Sequence, residues 1–214
     1  MIGDKVIPKP HHTAAAERVF ALLEDKVRDK RVAITVAGES GAGKSEIAVE
    51  LARLFEIKRL RPLILQQDDY FYLPPKTNAQ ARKKDIKHVG LGEVNLALLD
   101  EHTRLFKFAR GDKIEKPLVV FEEDRVSRET IVPGDYDLVI AEGTYTTLLS
   151  HGDFHVFIDR NFEETLAHRK DRKRDQLDEF SERILEIEHR IISKHKRMAN
   201  IVVNNDYSVV WVDQ

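Results

Sequence analysis

The chain has 214 residues, of which 42% are hydrophobic and 34% charged, with a formal net charge of -2 and a pI of about 6.5. This charge disfavours general binding to nucleic acids or membrane surfaces, and the absence of cysteine excludes disulfides and thiolate zinc sites. No apolar run approaches the roughly 20 residues that a membrane span needs. The composition therefore predicts a cytoplasmic enzyme with no membrane partner, built as a single α/β domain over residues 1–214.

The first elements predicted in chain order surround a glycine-rich segment. Residues 13–28 have the apolar spacing of a helix, with Thr13 as its predicted N-cap. The apolar run 32–37 predicts a buried parallel strand, and the amphipathic run 46–55 predicts a helix. The glycine-rich segment thus lies between a strand and a helix.

The middle of the chain mixes one more strand with polar and hairpin segments. Residues 62–67 predict a second buried strand, and the polar stretch 74–92 predicts a mobile surface excursion. The apolar residues of the stretch 94–109 recur with the spacing of an amphipathic helix. The runs 117–121 and 129–132 predict a short antiparallel pair outside the main sheet.

The last third of the chain completes the sheet. Residues 138–141, 156–158 and 201–203 predict three more buried strands, and 208–212 predicts an added edge strand. A long charged helical region is predicted over 162–198. Strands that alternate with helices indicate a three-layer α/β/α fold, with a doubly wound parallel sheet of about five strands.

The glycine-rich segment fits the phosphate-binding pattern G-x-x-x-x-G-K-[ST] of a P-loop NTPase in full. Its residues are Gly38, Glu39, Ser40, Gly41, Ala42, Gly43, Lys44 and Ser45, with Glu46 next in the helix. Glycines let the backbone wrap a polyphosphate, and the helix N-terminus supplies N–H donors. Lys44 is predicted to reach the β- and γ-phosphates, and Ser45 to ligate Mg²⁺. A chance loop is the alternative, and the flanking strand and helix disfavour it.

Acidic residues follow two of the predicted parallel strands. Asp68 and Asp69 come directly after the second strand, and Glu142 follows the strand 138–141. Mg²⁺ takes oxygen ligands, and phosphoryl transfer to an alcohol needs a carboxylate near the hydroxyl. Asp68 is predicted to be both base and metal neighbour, with Glu142 also at the metal. Loop acids that cap a turn are the alternative.

A basic cluster spans residues 169–175. It predicts a helical lid over about 160–180 whose arginines neutralise the transferring phosphoryl group. Spacing favours Arg169 and Arg172 as the catalytic pair, with Arg174 as a rival. A solvated helix face with weak ion pairs is the alternative.

Five residues are predicted to contact the substrate that accepts the phosphoryl group. They are Asp69, Tyr70, Arg125, Glu142 and Tyr145. For the aromatic residues after Asp69, core packing is the alternative, and Arg125 could equally be an ordinary surface arginine.

The order of these motifs resembles the uridine kinase and phosphoribulokinase-like family of P-loop kinases, over about residues 32–206. The stretch 67–71 is similar to the family's strand ending in an acid followed by aromatics, and 140–143 to its strand ending in Glu-Gly. The resemblance implies that Asp68 accepts the hydroxyl proton and that Glu142 lies near metal and acceptor. It also implies a substrate-binding hairpin insertion at about residues 112–134.

The hairpin departs from the family pattern. Uridine kinases have a tyrosine and a histidine shortly after the hairpin proline, and neither follows Pro117 here. The acceptor class is therefore open, with a nucleoside as the first class to test.

Together these features predict an ATP- and Mg²⁺-dependent kinase that phosphorylates a hydroxyl group of a small metabolite. The sequence leaves open ATP against GTP and the formation of a homo-oligomer. The alternatives are a nucleotide-dependent switch or binding module, and a polynucleotide 5′-kinase. The sequence lacks the guanine-reading motif of a nucleotide switch, and only its basic clusters support binding to a polynucleotide.

Overall fold

The computed structural model describes residues 1–3, 5–27, 30–109, 111–165 and 178–212. The helices are α1 (Pro10–Leu23), α2 (Lys44–Ile57), α3 (Pro75–Lys84), α4 (Leu96–Phe108) and α5 (Glu179–Ile192). The strands are β1 (Val32–Gly38), β2 (Pro62–Gln66), β3 (Ile114–Val120), β4 (Arg125–Ile131), β5 (Leu138–Glu142), β6 (Phe154–Ile158), β7 (Ile201–Val203) and β8 (Val209–Trp211). None of the described helices is long and apolar enough to cross a membrane.

The main sheet has six strands in the order β2-β5-β1-β6-β7-β8. The first five run parallel, and β8 pairs antiparallel with β7 at one edge. The predicted parallel sheet of about five strands and its added edge strand are confirmed. Because β1 lies inside this sheet, its carboxyl end opens between those of β5 and β6, where such sheets bind ligands.

The sheet is covered by helices on both faces, which confirms the three-layer architecture. On β1, Val32, Ile34 and Val36 pack in one apolar cluster with α1 and α2. Ala33 and Ala37 pack on the opposite side, in a second cluster with α4. Successive side chains of a strand point to opposite faces, so a strand buried on both sides reads as a continuous apolar run.

Two predicted segments differ from the structure. Helix α1 begins at Pro10 and ends at Leu23, because proline at the first helical position sets a helical φ and needs no N–H donor. Thr13 is therefore not the N-cap. The stretch predicted as a mobile excursion contains the ten-residue helix α3, which escaped detection because few of its side chains are apolar.

The predicted hairpin and the charged helical region agree with the structure only in part. Strands β3 and β4 form a separate antiparallel sheet, as predicted, but are longer than expected. The long helix predicted over 162–198 corresponds to α5, which ends at Ile192. His195 lies beyond it on a separate helical turn. Residues 166–177 are outside the described part of the chain.

Candidate active site

The phosphate-binding loop connects the end of β1 to the start of α2. Gly43 occupies the N-cap of α2 with φ of 99°, and a Cβ there would lie 2.9 Å from Nε2 of the buried His12. Glycine is needed at this position for both reasons. Lys44 begins the helix, and its Nζ donates to the carbonyl oxygen of Glu39 at 2.9 Å. The loop is therefore shaped for phosphates, with its lysine held across it.

Glu39 ties the loop to both sides of the predicted lid. Its Oε2 accepts from the backbone N–H of Phe162 at 2.8 Å, and its Oε1 lies 2.6 Å from Nδ1 of His189 on α5. Thr165 adds a hydrogen bond of 3.1 Å from its hydroxyl to the carbonyl of Ser40. The segments that precede and follow residues 166–177 thus both contact the phosphate-binding loop.

A hydroxyl and a carboxylate with the chemistry of a Mg²⁺ site meet beside the loop. Ser45 Oγ donates to Glu142 Oε1 at 3.2 Å, and Gln66 Nε2 donates to the same oxygen at 3.4 Å. Burial raises the pKa of Glu142 to about 7; the charge of Asp68 adds to this, while Lys44 and the Ser45 hydrogen bond oppose it.

These oxygen donors fit Mg²⁺, which uses few protein ligands and keeps phosphate oxygens and water. No group of three or more histidine and carboxylate side chains in the described residues could hold a metal by itself. Ser45 and Glu142 therefore suit a metal that arrives with a nucleotide.

The two neighbouring aspartates after β2 have opposite environments. Asp68 is exposed and forms no hydrogen bond or ion pair with any residue that the structure describes. Asp69 is buried: its Oδ1 accepts from the backbone N–H of Val119 at 2.9 Å, and its Oδ2 lies 3.1 Å from Nζ of Lys116. Asp68 is thus available for chemistry, whereas Asp69 attaches the β3–β4 sheet to the end of β2.

Asp68 lines a cleft of about 370 Å³ between the sheet edge and α3. The size suits a small molecule. Its walls combine apolar and polar side chains, among them Phe71, Leu73, Asn78, Arg82 and Phe121. Asp68 follows Gln66 by two residues, and Gln66 pairs with Glu142 across β2 and β5, so this end of the cleft adjoins the metal donors.

Arg82 is held at this cleft by two carboxylates. Its Nη2 donates to Glu93 Oε2 at 2.9 Å and to Glu188 Oε1 at 3.1 Å, and its Nε donates to Glu93 Oε1. Glu93 also accepts from Asn78 Nδ2 at 2.8 Å and from the Gly90 backbone at 2.7 Å. We call Asn78, Arg82, Glu93 and Glu188 the arginine cluster.

The cluster changes the protonation of its members. Burial opposes the charge of Arg82, but the Glu93 hydrogen bonds and the charge of Glu188 outweigh it and raise the Arg82 pKa above its ordinary value. The pKa of Glu188 is also raised, mainly by burial, against the opposing effect of Arg82. Arg82 therefore keeps its positive charge over the ordinary pH range. Glu188 binds its proton more tightly than an ordinary glutamate does.

The remaining predicted acceptor contacts lie away from the cleft. Tyr70 is buried, and its hydroxyl bonds Nδ1 of His102 at 2.9 Å. Tyr145 is buried too, with its backbone N–H donating to Gln67 Oε1 at 2.7 Å. Arg125 is exposed on β4 and pairs with Glu123 at 2.8 Å. None of the three predicted residues lines the cleft.

The predicted lid arginines Arg169, Arg172 and Arg174 lie outside the described residues. Glu46 is buried in the first turn of α2, next to the loop.

Sequence reasoning missed the arginine cluster. Residues 82–84 form one basic run in the sequence, and nothing in it separates Arg82 from the two lysines that follow. Glu93 and Glu188 belong to no recognisable sequence motif. Their pairing with Arg82 depends on α3, the helical turn Leu91–Glu93 and α5 meeting in space, which the sequence pattern does not encode.

The sequence model of the "Phosphoribulokinase / Uridine kinase family" matches residues 33–198. The uridine kinase of Leuconostoc citreum (strain KM20) is 24% identical over 187 residues, covering 81% of this chain and 87% of that protein. A bifunctional alpha-galactosidase/sucrose kinase of Mediterraneibacter gnavus is 27% identical over 195 residues, covering 85% of this chain and 21% of that protein.

Solved structures agree on the fold. A protein described as a possible uridine kinase from Bacillus stearothermophilus superposes with a TM-score of 0.66 at 16% identity, covering 88% of this chain and 97% of that one. This likeness supports a P-loop kinase architecture. Since the family match spans most of the chain, from the loop strand to the turn before β7, the chain belongs to the Phosphoribulokinase / Uridine kinase family.

Proposed function

We propose that this small-molecule kinase transfers the γ-phosphoryl group of ATP to a hydroxyl group of a metabolite that binds in the cleft beside Asp68. The observation that carries the proposal is the exposed Asp68 carboxylate, which has no protein partner among the described residues and adjoins the Ser45–Glu142 pair. A phosphoryl donor and an alcohol acceptor would meet between them.

Each residue has a role that follows from its position. The loop and the start of α2 would bind the phosphates, and Lys44 would exchange the Glu39 carbonyl for a phosphate oxygen. Ser45 and Glu142 would hold Mg²⁺, which supplies positive charge to the β- and γ-phosphates when bound.

The acceptor end completes the reaction. The acceptor oxygen forms a bond to the γ-phosphorus while the bond to the β–γ bridging oxygen breaks, and Asp68 takes the hydroxyl proton. The lid arginines Arg169 and Arg172, with Arg174 as a rival, would neutralise the transferring group. Asp69, with its buried ion pair, would hold the hairpin beside the cleft instead of contacting substrate.

A nucleoside is the first acceptor class to test, because the relatives include a protein named uridine kinase. A coupled ADP-release assay against nucleosides, sugars and other small alcohols tests the proposal, with ATP and GTP compared as donors. We expect acceptor-dependent turnover that EDTA abolishes and Mg²⁺ restores. Nucleotide hydrolysis that no small alcohol stimulates would overturn it.

A further inference from the structure

We infer that the acceptor is an uncharged polyhydroxyl compound with an apolar ring or face, and not a carboxylate or a phosphate ester. The inference rests on the proposed function of the cleft. It follows from the charges that line the cleft, because each of its described cations already has a partner within the protein.

Arg82 is one of the cations that line the cleft. Its side chain is 17% exposed, and Glu93 and Glu188 bind its Nε and Nη2. The arginine cluster therefore holds one positive charge against two carboxylates. Whether or not Glu188 binds a proton, the cluster has no net positive charge to offer an anionic acceptor.

The other cations that line the cleft are compensated too. Lys76 is exposed, its Nζ donates to the carbonyl oxygen of Glu122, and its charge interacts with the Asp124 carboxylate. The α-amino group of Met1 lies 3.2 Å from Asp69 Oδ1. Neither group points an unpaired positive charge into the cleft.

Asp68 contributes the opposite sign. It lines the cleft without a cationic partner among the described residues. An acceptor carboxylate or phosphate would add a negative charge beside it. This repulsion disfavours an anionic acceptor, because like charges several ångström apart near a protein surface interact through an effective dielectric constant well below that of water.

What the cleft does offer suits a neutral polyol. Arg82 Nη1 has no hydrogen-bond partner among the described residues, so its N–H groups are left for hydroxyl oxygens. Phe71, Leu73 and Phe121 supply apolar surface for a ring. Asp68 accepts from a hydroxyl group in the same space.

Matched acceptors that differ mainly in one anionic group test the inference. Uridine against orotidine, glycerol against glycerate, and pantothenyl alcohol against pantothenate form suitable pairs for an ADP-release assay on the wild-type protein. We expect turnover within at least one pair, with kcat/KM of the uncharged member higher by roughly tenfold or more. A preference for the anionic member overturns the inference and leaves the proposed function standing. No turnover with any acceptor, in these pairs or in the wider panel, removes both.

A variant tests the origin of the preference. In assays at a pH where Glu188 is ionised, Glu188→Gln keeps the side-chain volume but removes one negative charge beside Arg82, so the preference for the uncharged member should fall by roughly three- to tenfold. Glu186→Gln is the matched control, because Glu186 lies on the same helix with a side chain that is 54% exposed. An unchanged preference in folded Glu188→Gln overturns the assignment to the arginine cluster. If that variant does not fold, the wild-type pairs decide the inference alone.

Discussion

The nucleotide end and the acceptor end of this site are assembled in different ways. The loop from Gly38 to Ser45 is one contiguous motif, and its lysine is held by a local hydrogen bond to the Glu39 carbonyl. The acceptor cleft is built from segments far apart in the chain, including Asp68, Arg82 and Phe121. Changes at the first end should therefore act on the nucleotide, and changes at the second on the acceptor alone.

Lys44→Ala should have the largest effect and should act on the nucleotide end. Removing the loop ammonium weakens binding to the phosphates and stabilisation of the transferring group, so kcat/KM should fall by roughly a thousandfold or more. Nucleotide titrations and turnover assays measure the two effects. Lys58→Ala, in an exposed position just after the same helix, is the control and should change neither. Unaltered nucleotide affinity in Lys44→Ala would contradict the assignment.

Asp68→Asn should separate the two ends. Without the base, turnover should fall by roughly 10²- to 10⁴-fold, while nucleotide affinity stays within about twofold of the wild type. Steady-state kinetics and calorimetric titration with a non-hydrolysable nucleotide measure both quantities. Normal turnover would remove Asp68 as the base.

Glu142→Gln should change how stability depends on pH. The pKa of Glu142 is about 7 in the folded protein against an ordinary value of 4.5, so its contribution to stability is fully present below pH 4.5. That contribution is lost as the pH rises through 7. The wild type should therefore lose on the order of 3 kcal/mol relative to the variant between pH 4.5 and pH 8.

Urea unfolding in EDTA at several pH values measures this difference. The free energies of unfolding of the two proteins should diverge in favour of the variant from about pH 4.5 to about pH 7, and the difference should stay constant at higher pH. Parallel curves for wild type and variant would show that burial does not shift this carboxyl group. Asp135→Asn, at an exposed position, should leave the pH dependence as it is in the wild type.

Asp69→Asn should act on stability instead of chemistry, in contrast to its neighbour. It removes one of the two carboxylates that pair with the buried ammonium of Lys116 and leaves Glu129, at 3.0 Å, so the free energy of unfolding should fall by about 2–3 kcal/mol. Denaturant unfolding measures the loss. A variant of unchanged stability with a kinetic defect like that of Asp68→Asn would reverse the roles of the two aspartates.

The sequence predicted the sheet and the loop well because their signals are short-range. Apolar runs mark strands that are buried on both faces, and the eight-residue motif places glycines where the backbone requires them. Helix α3 was missed for the opposite reason. It packs little apolar surface and is held by polar contacts, such as those of Asn78 and Arg82, that leave no periodic pattern.

The candidate site also has a part that short-range sequence signals predict and a part that they do not. Lys44, Ser45, Asp68 and Glu142 follow from strand ends and a motif, because parallel strands bring their carboxyl ends to one edge. The sequence predicted Asp68 as the base and Asp69 as a substrate contact. It did not indicate that Asp69 is buried against the hairpin, because that contact depends on how β3 packs at the end of β2. Tyr70 and Tyr145 were predicted as acceptor contacts but lie in the core, away from the cleft.

By itself, then, the sequence determined the α/β fold class and the phosphate-binding loop, since both depend on residues adjacent in the chain. It also placed acids at two strand ends. Only the tertiary structure decided that Asp68 is exposed at a cleft, that Asp69 is tied to Lys116, and that Arg82 is held by Glu93 and Glu188. Those environments depend on packing between segments distant in the chain, and such packing sets the charge that an acceptor meets.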